Sequence, residues 1–225
     1  MNRKIWNILN LVMLSGILIL LTARCADKLV EKPQDFVGPD NFYTTPAQIE
    51  SSFVSAMQRT WGGWQFYDWQ GYPQWPALDD QIYDGNLNIN DDFGTGTWAV
   101  HYQAIADLNP AIKSMVEDKL GSSATQEVKD QLMAQAKFLR AWNYFMLVRL
   151  YGDVPLITET TDVINSEITR APIAEVYNLI VSDLLFATQN LPEEWPPEQK
   201  ARPTADAAKG MLAKVYITMA TNPMN

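Results

Sequence analysis

The chain has 225 residues, 47% hydrophobic and 19% charged, a balance that supports one domain with a substantial core. One Cys and one His exclude a disulfide framework and speak against a structural zinc site. The net charge of −9, with no basic tract, speaks against a nucleic-acid partner.

Arg3 and Lys4 precede the apolar run IWNILNLVMLSGILILL, and Cys25 lies just beyond it. This is the layout of a bacterial secretory signal, so residues 1–24 are expected to be a signal peptide and Cys25 a lipidation site. A plain membrane anchor is the competing reading, since 17 apolar residues can just span a bilayer. Arg24 stands directly before Cys25, where signal peptidases for lipoproteins take a small side chain. Cleavage there removes Arg3, Lys4 and Arg24 and brings the charge to −12. Residues 25–43 are polar, carry two Pro and show no periodicity, which reads as an extended tether.

Residues 44–225 read as an all-α domain, because no stretch sustains the period-2 alternation of a strand. Thr45-Pro46-Ala47-Gln48 opens a first helix with a capping box, and Ile49, Phe53 and Met57 share one face. A second helix is expected from near Trp98, with Tyr102, Ile105 and Ile112 inward, a kink at Asn109-Pro110 and an end at Gly121. Ser123-Ala124-Thr125-Gln126 reads as another capping box, opening a helix that runs to Tyr151. Gly152 then supplies a left-handed cap, and Pro155 bars continuation. After a long connection, Pro172 opens a fourth helix with Val176, Tyr177, Ile180, Leu184 and Leu191 on one side. Thr204 caps a fifth, 205–220, with Ala208, Met211, Leu212, Val215 and Tyr216 facing in.

The third helix is the most apolar. From Ala141 to Val148 only Asn143 is polar, so neighbours must enclose it on all sides. KFLRAWNY at 137–144 aligns with KGMLAKVY at 209–216, and Ala134/Phe138 and Ala141/Phe145 have the small-then-large spacing of tetratricopeptide helices. The expectation is a right-handed, incomplete stack of tetratricopeptide-like helix pairs joined by long irregular loops.

AKFLRAWNYFMLVRLYGDVPL at 136–156 resembles the signature of SusD-like (SusD/RagB) outer-membrane lipoproteins of Bacteroidota. CADKLVEKPQ, RAPIAEVYNLIVSDLLFATQNLP and RPTADAAKGMLAKVYITMA agree with it in order. The resemblance implies a cell-surface, lipid-anchored, non-enzymatic protein of the outer membrane without a cofactor. Such a protein binds oligo- or polysaccharide and acts as the lid of a SusC-like TonB-dependent transporter. Members of the family are longer, so the chain is expected to be an N-terminal portion.

The candidate ligand site is WGGWQFYDWQGYPQWPALDDQIYDG at 61–85, where seven aromatics fall within residues 61–76 among Gly and Pro. Exposed rings can stack on a sugar face while a few polar groups fix its hydroxyls. Trp64, Trp69, Tyr72 and Trp75 are the expected platforms, with Asp79 and Asp80 as polar partners, and Trp61 is assigned to the core. Burial of these rings against the fold is the alternative for each. DGNLNINDD at 84–92 lacks the Gly and the closing Glu of an EF-hand. Asp79 and Asp80 are adjacent, which does not suit the two carboxyls of a glycosidase, about 5–9.5 Å apart across a sugar. His101 has no nucleophile beside it in sequence and reads as a packed helix residue. A helical-repeat adaptor that binds protein and no sugar is the second function class, and the aromatic segment, which an adaptor does not require, separates the two.

Overall fold

The fold is taken from a computed structural model that describes residues 42–61, 92–158 and 168–221, with the side chains of 92–96 left aside, plus Arg3 and Met13. Every contact below lies within the unit Pro39–Asn225. Its described residues form five α-helices: α1 (Pro46–Trp61), α2 (Asp92–Val116), α3 (Gln126–Tyr151), α4 (Ile173–Asn190) and α5 (Ala205–Thr221). The domain is all-α, as the absence of alternation predicts, and among the described residues there is one isolated β-bridge, Val154 to Ala171, in the connection between α3 and α4.

The start of α1 follows the sequence signal. Gln48 N–H donates to Thr45 Oγ1 at 3.4 Å, and the Gln48 carboxamide oxygen accepts from the Thr45 N–H at 3.2 Å. Ile49, Phe53 and Ala56 are buried, and Met57 packs beside them. Elsewhere the boundaries shift. Helix α2 starts at Asp92, six residues before the expected Trp98, and contains Pro110. It ends at Val116 rather than Gly121, because Asp118 takes a left-handed conformation (φ 52°). Asp118 N–H then reaches Met115 O at 3.2 Å and Lys119 N–H reaches Ser114 O at 2.9 Å, a Schellman closure with Asp where Gly is usual. The cap of α3 is Thr125, whose Oγ1 accepts from Val128 N–H at 3.3 Å, while Ser123 bonds instead to the carbonyl of Thr44.

Antiparallel packing follows from paired contacts. Ser55 and Arg59 of α1 meet Asp107 of α2, and Arg59 also meets Gln103, so one helix climbs as the other descends. Trp98 and His101 of α2 face Tyr151 and Asn143 of α3 in the same sense. At the next junction, Ile173 N–H donates to Asp153 Oδ1 at 2.9 Å, while Arg140, deep in α3, meets Asp183, deep in α4. Helices α1 to α4 therefore pack antiparallel in chain order, and α5 packs on α4.

Helix α3 spans about 39 Å at ~1.5 Å per residue, and its stretch from Phe138 to Val148 is buried at every position except Trp142, which is half-buried against the core. Tyr144 and Leu147 are 0% exposed, and burying one such side chain contributes about 1.5–3 kcal/mol. Gly152 closes the helix with φ 69° and ψ −123°, and its N–H donates to Val148 O at 3.0 Å. The positive φ is as expected, but the ψ is that of mirror-image β backbone, not a left-handed helix. Glycine is the residue that populates it readily.

In α4 the expected face is buried, with Val176, Tyr177, Ile180 and Leu184 inward and Leu191 at the cap. In α5, Ala205, Ala208, Met211 and Val215 are buried and Leu212 is half-buried, but Tyr216 is 47% exposed, contrary to the sequence expectation. The seam 208–211–215 points at α4 and leaves position 216 on the flank.

Candidate functional site

Trp64, Trp69, Tyr72, Trp75, Asp79 and Asp80 lie outside the described residues, as does the lipidation candidate Cys25. The described structure supplies the ground on either side of the 62–91 segment. On the leading side, Trp61 ends α1 and meets Trp142 of α3 edge-on, with ring centroids 5.7 Å apart at 69°. Trp61 is half-buried against the core, where the sequence reading put it.

On the trailing side, Trp98 of α2 lies 5.0 Å from Tyr151 at 81° and 4.9 Å from Tyr102. Arg170 holds its guanidinium 5.6 Å from the Trp98 ring centre and donates to the carbonyl of Asp153 at 3.2 Å. Burial raises the pKa of the Tyr151 hydroxyl, opposed by hydrogen bonds at Trp98 and Thr97. Tyr151, Gly152 and Asp153 thus end α3, receive α2 and, through the Asp153 carboxylate, start α4. They build the frame.

Behind this cluster the chain after α3 is strapped down by three side chains. Tyr102 Oη donates to Pro155 O at 2.8 Å, and Asn109 Nδ2 donates to Ile157 O at 2.8 Å. Tyr144 Oη donates to Ile157 O at 2.9 Å and accepts from Ile157 N–H at 2.8 Å. Burial pushes the Tyr144 hydroxyl up to about 12, the Ile157 N–H working against it.

His101 is 7% exposed, and its Nδ1 lies 2.8 Å from Asn143 Oδ1. Asn143 Nδ2 donates to Leu139 O at 2.8 Å, which turns Oδ1 toward the ring and places the imidazole proton on Nδ1. Burial lowers the His101 pKa, the Asn143 bond partly opposing it. It is a packed helix residue. The lone polar Asn143 in the apolar stretch of α3 is explained by this partner, a pairing across 42 residues that no local pattern signals. The Trp61–Trp142 contact was equally invisible, though a Trp in the last turn of a helix was a clue to a lateral anchor.

Among the described residues no group of three or more His, Cys, Asp or Glu is placed to hold a metal ion. No described helix is long and apolar enough to cross a membrane. What the described frame can do chemically is hold a segment in place with aromatic edges and one guanidinium.

Comparison with known proteins adds to this frame. Residues 40–217 match a SusD-like family model described as starch-binding and associating with the outer membrane. A SusD-like protein of Bacteroides ovatus is 28% identical over 214 residues, covering 88% of this chain and 37% of that protein. The solved SusD homologue of Bacteroides thetaiotaomicron superposes with a TM-score of 0.70 at 23% identity, over 83% of this chain and 38% of that one. A laminarin-binding SusD-like protein superposes with a TM-score of 0.65 at 26% identity, over 81% of this chain and 42% of that one. The chain therefore spans about two-fifths of the length of these relatives.

Proposed function

Because the chain belongs to the SusD-like family, we propose that it serves in a glycan-binding protein of the outer-membrane surface that carries out no chemistry on its ligand. Oligo- or polysaccharide is captured and passed to a SusC-like TonB-dependent transporter, which the protein covers as a lid. Residues 1–24 act as the signal peptide, Cys25 as the lipid attachment point, 25–43 as the tether and 44–225 as the helical-repeat domain. Trp64, Trp69, Tyr72 and Trp75 stack on sugar rings, and Asp79 and Asp80 accept from sugar hydroxyls.

The observation that carries the reading is the family match over 40–217, which spans the aromatic segment, the first four helices and most of the fifth. The laminarin-binding relative shows that a protein of similar fold takes a polysaccharide. The test is migration of the protein in native gels containing laminarin or starch, with co-purification from outer membranes alongside. Retardation that Trp69→Ala and Trp75→Ala weaken at unchanged melting temperature is the expected result. No retardation in either gel, with a transporter still co-purifying, would support the protein-binding adaptor instead. Sugar release would point to an enzyme.

A further inference from the structure

We draw no further inference here: the strongest candidate, the exposed Tyr216–Ile217 face of α5, is an apolar surface that no described element packs against, and nothing in the structure shows what covers it.

Discussion

Asp183 is 1% exposed in α4 and accepts two hydrogen bonds from Arg140 of α3, at 2.7 and 2.9 Å, with Lys137 Nζ 3.7 Å away. Two cations against one buried carboxylate make the partners unequal in what their loss would do. Asp183→Asn leaves the Arg140 charge buried and uncompensated, so it should cost about 3–5 kcal/mol in urea unfolding. Replacing both partners, as Arg140→Met with Asp183→Leu, should recover much of that loss, because two apolar groups need no counter-charge. Equal losses for the single and the paired change would show that the site is not apolar enough for that reasoning. His101 makes a pH prediction. Burial holds its folded-state pKa below the usual value, so between that depressed pKa and about 6.5 the unfolded chain binds the extra proton. The stability it contributes is full above pH ~6.5 and declines as pH falls below that value toward the folded pKa. Melting temperatures from pH 7.5 to 5 should show this decline, and His101→Gln should flatten that part of the profile. A profile unchanged in His101→Gln would assign the acid sensitivity to carboxylates.

Helix termini show how far local sequence reaches. The Thr45/Gln48 box was legible because all its atoms come from four consecutive residues. The end of α2 was not, because an Asp at φ 52° did the work expected of Gly121, and the same Asp118 is held by Lys129 Nζ at 2.6 Å from the following helix. Thr125 displaced Ser123 as the α3 cap for a similar reason: the Ser123 hydroxyl is engaged by Thr44, 79 residues away. Gly152 is the terminus where a substitution should hurt most. Its φ of 69° with ψ −123° strains any side chain, and it sits between the last turn of α3 and Asp153, whose carboxylate caps α4. Gly152→Ala should therefore destabilise the protein by about 1–3 kcal/mol, read as a lower midpoint in urea with little change in slope. Asp153→Asn keeps an oxygen for the Ile173 N–H but loses the charge at the helix N-terminus, so its cost should stay within about 1 kcal/mol. A Gly152→Ala midpoint equal to that of the parent would mean the α3–α4 turn can relax into another conformation.

Across the whole molecule burial is graded, and the grading follows from stacking. Helix α3 has neighbours on several sides and buries 14 of its 26 residues, whereas α5 buries four of 17. The matched repeat positions make the difference concrete. Tyr144 is 0% exposed and Tyr216 is 47% exposed, though both end the same Lys-x-x-x-Ala-x-x-Tyr pattern. On α3 that face meets α4 through Lys137, which reaches Asp183 and lies 4.4 Å from the centre of the Phe186 ring. On α5 the same face carries Lys209, paired only locally with Asp206 among its hydrogen bonds and ion pairs, and Ile217 at 65% exposure. The sequence pattern thus located the apolar seams but not their covering, since covering depends on what packs alongside. The candidate site has the same limit: the density of aromatics in 61–76 is a composition, while the contacts that orient them, such as Trp61 on Trp142, join residues far apart in the chain. Graded burial predicts graded opening. In native-state hydrogen exchange, amides of α3 should exchange last, near the global unfolding limit, and those of α5 should exchange first among the five helices. Arg202 pairs with Glu50 at 2.8 Å and stacks over Trp195, tying the α4–α5 connection back to α1, so this connection should exchange more slowly than α5 itself. Protection of α5 equal to that of α3 would mean that the Tyr216–Ile217 face is covered in solution.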